Sequence, residues 1–202
     1  MSHFTRFAFC LGLAALAGCS TYDRRLTSSS TQYLTPGGTV VTKPSNVGFT
    51  DTVSYWDGDG VAGSPAITID LREQKAFFYK GGRLVGVSMI SSGREGYSTP
   101  SGSFKITQKN KDHVSNLYGD YVDGAGNVVV ANVGVNKDPR PAGTQFRGAP
   151  MPYFMRIHGG VGMHAGFLPG FPASHGCIRM PERMAQIFFA NVSHGTPVRV
   201  VN

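Results

Sequence analysis

"GMHAGFLPGFPASHGCIRM", residues 162–180, holds the one thiol that a processed form of this chain would keep, and the rest of the sequence is read outward from it. Cys177 stands between His175–Gly176 and Ile178–Arg179, with His164 and His158 upstream on the same stretch of chain. A thiol is a weak nucleophile until it loses its proton, and an imidazole within hydrogen-bond reach can take that proton. Gly176 allows the backbone to approach a bound group closely, and the amides of so tight a segment can face a developing oxyanion. Three histidines and a cysteine are also zinc-ligand types. Their spacing lacks the short paired-ligand pattern of zinc sites, so neither a metal nor another cofactor is expected. "GGVG" at Gly159–Gly162 looks like a phosphate loop only superficially, because no P-loop lysine follows it.

The other two cysteines belong to the first nineteen residues, "MSHFTRFAFCLGLAALAGC". A basic start at His3 and Arg6 precedes an apolar run from Phe7 to Ala17. That run is shorter than the roughly 20 residues a bilayer span requires, and the pattern is that of an export signal. "LAGC" at Leu16–Cys19 resembles the bacterial lipobox, which implies lipidation of Cys19 and cleavage just before it, with Cys10 lost in the leader. A blocked Cys19 cannot pair with Cys177. An unpaired thiol in an oxidising compartment is vulnerable, and a catalytic nucleophile is the use that offsets the hazard.

The chain carries 19 Lys+Arg and 12 Asp+Glu, a net charge of +7. Loss of Arg6 with the leader leaves 18 against 12, or +6. The excess suits anionic surfaces such as lipid headgroups or cell-wall polymers. The basic residues are scattered and form no recognised nucleic-acid motif, so nucleic acid is not an expected partner.

Residues 19–63 are rich in Ser, Thr, Gly and Pro ("TSSSTQ", "TPGGT") and read as the lipidated cysteine and a flexible tether behind a signal peptide of residues 1–18. Residues 64–202 form the expected globular domain, long enough for one core. "AITIDL" alternates Ile67 and Ile69 with polar neighbours, as a half-buried strand does. "KAFFYK", the Gly-Gly turn and "LVGVSMI" predict a hairpin. "STPSGSFKIT", "NVVVANV", "YFMRI" and "HGTPVRVV" predict further strands. "PERMAQIFFAN" predicts the one helix, with Pro181 in its first turn and Met184, Ile187 and Phe188 on one face. The expected fold class is mostly β with a small helical part.

The stretch "GMHAGFLPGFPASHGCIRM" resembles the active-site signature of the L,D-transpeptidase catalytic domain, the YkuD-type domain. Ser174, His175, Gly176, Cys177, Ile178 and Arg179 match its second half throughout. "ITIDLREQKAFFYKGGRLV" and "TPSGSFKI" resemble the family's opening strands and turn, so the likeness extends from about Ser64 to Val201. The resemblance implies a β-sandwich-like fold and a substrate in the stem peptides of peptidoglycan. Cys177 would attack the carbonyl of the third stem residue and expel D-alanine. The acyl group would then pass to the amine of a second stem as a 3–3 cross-link, to an amine of a wall-attached lipoprotein, or to water. The amides of Gly176 and Cys177, with His175, would line the oxyanion region. Ser174 and Arg179 would either contact substrate or hold the turn.

For the base, the resemblance leaves two residues in play. Fifteen residues separate His158 from the Ser-His-Gly-Cys run and nine separate His164 from it. The family has more than a dozen, which favours His158. "GMHAG" matches the family's Gly-apolar-His-Gly better than "RIHGG" does, which favours His164, the expected base. Residues 109–150, with Tyr118, Tyr121 and Phe146, are expected either to wall the second substrate site or to form a plain hairpin extension. Ser20 after Cys19 implies a lipid anchor in the outer membrane, facing the periplasm.

Overall fold

The computed structural model describes residues 51–202, and the expected signal peptide, the Cys19 lipidation site and most of the tether lie outside those residues. Eleven strands and one helix follow in order among the described residues. They are β1 (Tyr55–Trp56), β2 (Pro65–Asp70), β3 (Lys75–Lys80), β4 (Arg83–Met89), β5 (Gly102–Lys105), β6 (Gln108–Val122), β7 (Val128–Gly134), β8 (Gln145–His158), β9 (Val161–Ala165), β10 (Ile178–Met180), α1 (Glu182–Asn191) and β11 (Pro197–Val201). One mixed sheet runs β1-β4-β3-β2-β11-β5 and a second runs β10-β9-β8-β6-β7. β11 lies parallel to β2 and β10 parallel to β9; the other pairs are antiparallel.

Period-two alternation builds the core. Side chains of one strand point alternately to the two faces, so register partners line up in rows. Phe78, Ile67 and Val198 form one such row across the first sheet, and Ala76, Ile69 and Val200 form the next. From the second sheet Met155, Ile157, Met163, Ala165, Ile178 and Met180 face the same core, and α1 adds Met184, Ala185 and Phe188. Pro181 stands at the helix N-cap, one position before the predicted first turn, and its carbonyl accepts the Ala185 N–H at 2.9 Å.

The ordered fold begins earlier than the sequence boundary at Ser64. β1 pairs with β4, and Trp56 sits edge-on to Phe78 at 5.2 Å, which in turn meets Phe188 at 4.9 Å. Gly86, the register partner of Trp56, leaves room for the indole, since a Cβ there would collide with it. Two strand residues within a polar stretch are too few to show a period, so composition alone assigned them to the tether.

The 109–150 segment is the hairpin extension: β6 pairs with β7 on one side and with β8 on the other. It also shapes the site. The β6–β8 register breaks between Val114 and Gly119, and the Ser115 hydroxyl accepts the amides of Leu117 and Tyr118 at 3.2 and 3.0 Å. Such a bulge re-aims side chains near a site. Gly119 and Gly148 face each other beside it, and a Cβ on either would overlap backbone of the opposing strand.

Candidate active site

The parallel pairing of β9 with β10 puts His164 and Arg179 on one face. Met163 and Ala165 point into the core, so Gly162 and His164 point to the other side; Ile178 and Met180 likewise leave Arg179 on that side. His164 and Arg179 are register partners, and Cys177 lies two residues before Arg179. Cys177 Sγ donates to Gly160 O at 3.7 Å.

The loop holding the thiol is tied down from three sides. Ser92 O accepts the amides of Ala173 and Ser174 at 3.0 Å each, and Ser174 O accepts the Arg94 N–H at 3.1 Å. The Thr99 hydroxyl donates to Gly176 O at 2.8 Å and accepts the Gly93 N–H at 3.0 Å. The buried side chain of Gln74 donates to the Ser92 hydroxyl at 2.7 Å and accepts the Ser92 N–H at 2.9 Å. Gly176 has φ +108°, a conformation that only glycine adopts without strain. The Ser174 hydroxyl donates to Cys177 O and accepts the Gly176 N–H at 3.0 Å. The Gly176 amide is therefore used within the turn. Of the two amides expected to face an oxyanion, that of Cys177 meets no acceptor among the described residues.

Around the thiol is a cleft of about 190 Å³, lined by Cys177, His175, Tyr118, Arg156, His113 and Val161 among others. His175 is held between two tyrosines. Tyr118, placed by the β6 bulge, stacks on it at 4.4 Å with planes 17° apart, and Tyr97 meets it edge-on at 4.7 Å. Tyr121 and Phe146 pack against each other instead, and the Tyr121 hydroxyl donates to Asp138 O at 2.8 Å.

Burial sets the proton chemistry. His164 is 6% exposed, and its pKa is pushed down to about 4 by desolvation, against the opposing pull of the Ala165 carbonyl. Its Nδ1 lies 2.8 Å from Ala165 O. A carbonyl only accepts, so the proton sits on Nδ1 and the Nε2 lone pair is free. Burial pushes the Cys177 thiol up, while the Gly162 amide and the Arg179 and Arg156 charges pull it down. At rest Cys177 is thus a neutral thiol and His164 a neutral imidazole.

Cys177 and His175 line one cleft, Ser174 and Gly176 close the turn before the thiol, and His164 is the register partner of Arg179. Ser174 holds the turn, and the Arg179 stem packs over Gly166, where a Cβ would meet it at 3.1–3.3 Å. His158 ends β8, exposed, with its ring 5.1 Å from Phe104 of the first sheet. Arg94, Tyr97 and Thr99 escaped sequence reading. They sit in "GREGYST", where glycines and a following proline signal only a turn, and their partners lie about 80 residues away.

A family model describing the YkuD L,D-transpeptidase catalytic domain matches residues 64–200. Among solved structures, an L,D-transpeptidase from Mycobacterium smegmatis superposes with a TM-score of 0.52 at 19% identity over 69% of this chain and 59% of its own. One from Xylanimonas cellulosilytica gives 0.51 at 22% identity over 70% and 62%. The Ldtfm–avibactam carbamoyl enzyme gives 0.51 at 28% identity over 69% and 49%. The chain therefore spans about half to three fifths of the length of these structures. No functionally curated protein matches it.

Proposed function

Because the chain belongs to the L,D-transpeptidase catalytic domain family, we propose that it is a cysteine-dependent acyltransferase of peptidoglycan stem peptides, with Cys177 as nucleophile and His164 as base. The observation that carries the reading is the pairing of β9 with β10. It sets a buried, neutral histidine with a free Nε2 on the same face as the register position two residues from a cleft-lining thiol. His158 ends β8 exposed, with its ring against Phe104 of the first sheet, and lacks the burial that keeps His164 neutral.

In the first half-reaction Sγ bonds to the carbonyl carbon of the third stem residue, and the thiol proton passes to His164 Nε2. The imidazolium that forms keeps its Nδ1–H on the Ala165 carbonyl, which stabilises the charge as it appears. The oxyanion is met by the Cys177 amide, and His175 stands in the same cleft. Collapse breaks the bond to D-alanine, whose nitrogen takes the proton back from His164, leaving a thioester. An acceptor amine then attacks the thioester carbonyl, giving its proton to His164, and the Cys177 thiolate leaves and is reprotonated. A second stem as acceptor gives a 3–3 cross-link, and an amine of a wall-attached lipoprotein gives a tethered protein. The lipid anchor on Cys19 and an outer-membrane, periplasm-facing location belong to the same proposal and rest on the "LAGC" motif followed by Ser20.

Intact mass of the full chain after exposure to a carbapenem tests the nucleophile: an adduct on Cys177 is expected, and its absence counts against it. Tetrapeptide muropeptides test the acceptor. Dimers with 3–3 links are expected, whereas tripeptides and free D-alanine alone would make the protein a carboxypeptidase. Labelled fatty acid should enter the wild type and not Cys19→Ala.

A further inference from the structure

His164 and His175 carry their protons on the same ring nitrogen and are free at opposite ends. Arg94 Nη2 lies 2.9 Å from His175 Nε2. A guanidinium only donates and does not lose its proton, so Nε2 must accept, and the ring proton is on Nδ1. For His164 the carbonyl of Ala165 occupies the N–H and leaves the lone pair available. For His175 the guanidinium occupies the lone pair and leaves the N–H available.

The ring has little freedom to leave this arrangement. It stacks on Tyr118 and abuts Tyr97, and the Arg94 guanidinium itself lies 4.4 Å over the Tyr97 ring. Lys137, in the segment after β7, lies 4.5 Å over the same ring and donates to the Tyr97 hydroxyl at 3.1 Å. The charged and titratable groups facing His175 or sharing its cleft are Arg94 and Tyr97 from the β4–β5 segment, His113 and Tyr118 from β6, Arg156 from β8, Lys137, and Cys177 and Arg179 on its own side. Among the described residues no carboxylate is one of them. Burial, Arg94, Arg179 and Lys137 hold its pKa down at about 4, so the neutral form persists through the physiological range.

We propose that Arg94 is a positioning residue that locks His175 as the neutral Nδ1–H tautomer, making it a fixed hydrogen-bond donor in the cleft and barring it from acting as a second base. The inference rests on the acyl-transfer reading of the site and assigns the donor that complements the Cys177 amide, since Ser174 has taken the Gly176 amide. Free imidazole favours neither geometry strongly enough to hold one donor in place, so the guanidinium supplies the selection.

Two measurements test this on the full chain. In the resting wild type, ring ¹⁵N shifts of His175 should show Nδ1 protonated and Nε2 bare from pH 5 to 8. A protonated Nε2, or titration near pH 6.5, would overturn the assignment. Arg94→Met should lower the kcat of Cys177 acylation about tenfold or more at pH 8 with KM little changed. Arg94→Lys, which still presents a donor, should recover most of the rate. No deficit in Arg94→Met, or no recovery with Lys, would mean that Arg94 only supports the loop. The ring shifts are read without substrate. A wild type that never acylates Cys177 would therefore sink the acyl-transfer reading while leaving the tautomer assignment to be judged by its own spectrum.

Discussion

Acidification should weaken the fold through His164, and the size of the effect follows from its burial. The ordinary histidine pKa near 6.5 describes the unfolded chain, whereas the folded group titrates at about 4. Between these values the unfolded state binds more protons than the folded one, so stability falls as pH falls and levels off for this group below about 4. Integrated from pH 7 to pH 5, the difference is about 2 kcal/mol, and the full interval of 2.5 pH units corresponds to about 3.4 kcal/mol. His175 adds in the same direction, but it is only half-buried and solvent screening reduces its share. The test is urea denaturation of wild type and His164→Gln at pH 7 and pH 5. Glutamine does not titrate, so the variant should lose about 2 kcal/mol less than the wild type across that interval, whatever its own stability at pH 7. Parallel losses would refute the reasoning, since they would mean that His164 is not held neutral by burial. The same lowered pKa predicts that acylation of Cys177 retains its base on the acid side well below pH 6.5, with the acid limb near pH 4.

Other perturbations separate chemistry from scaffold. Cys177→Ala should abolish the covalent adduct by mass while leaving the circular dichroism spectrum and melting temperature close to wild type. His164→Gln should lose at least about two orders of magnitude in acylation rate and His158→Gln much less, measured by stopped adduct formation; the reverse ranking would identify His158 as the base. Gly176→Ala has space for its methyl but would hold alanine at φ +108°, at a cost on the order of 1–3 kcal/mol that should appear as a lower denaturation midpoint together with slower acylation. Trp56→Ala removes the half-buried indole from Phe78 and should cost about 2–3 kcal/mol, a loss that would not occur if β1 belonged to an unstructured tether.

Local pattern alone determined much of the fold. Ile67 and Ile69, Val198 and Val200, and the helical face of Met184 and Phe188 are legible because the period of a strand or helix is written into consecutive residues. Ser174 to Arg179 are legible for a similar reason: the turn that carries the thiol closes on itself, with the Ser174 hydroxyl bonding within three residues of its own position. Tertiary structure decided what depends on distant partners. Spacing along the chain left His158 and His164 in competition, and what distinguishes them in the fold is burial and partners: His164 lies buried as the register partner of Arg179, whereas His158 ends β8 exposed against Phe104. The availability of the Gly176 amide could not be read from a glycine, since it depends on where a hydroxyl two residues away turns. Arg94 and Tyr97 looked like turn residues, and their meeting with His175 across about 80 residues of chain exists only once two sheets have packed. Short-range preferences act through neighbours in sequence and survive as pattern. Hydrogen-bond partnership and desolvation act through neighbours in space, and those come into being with the fold.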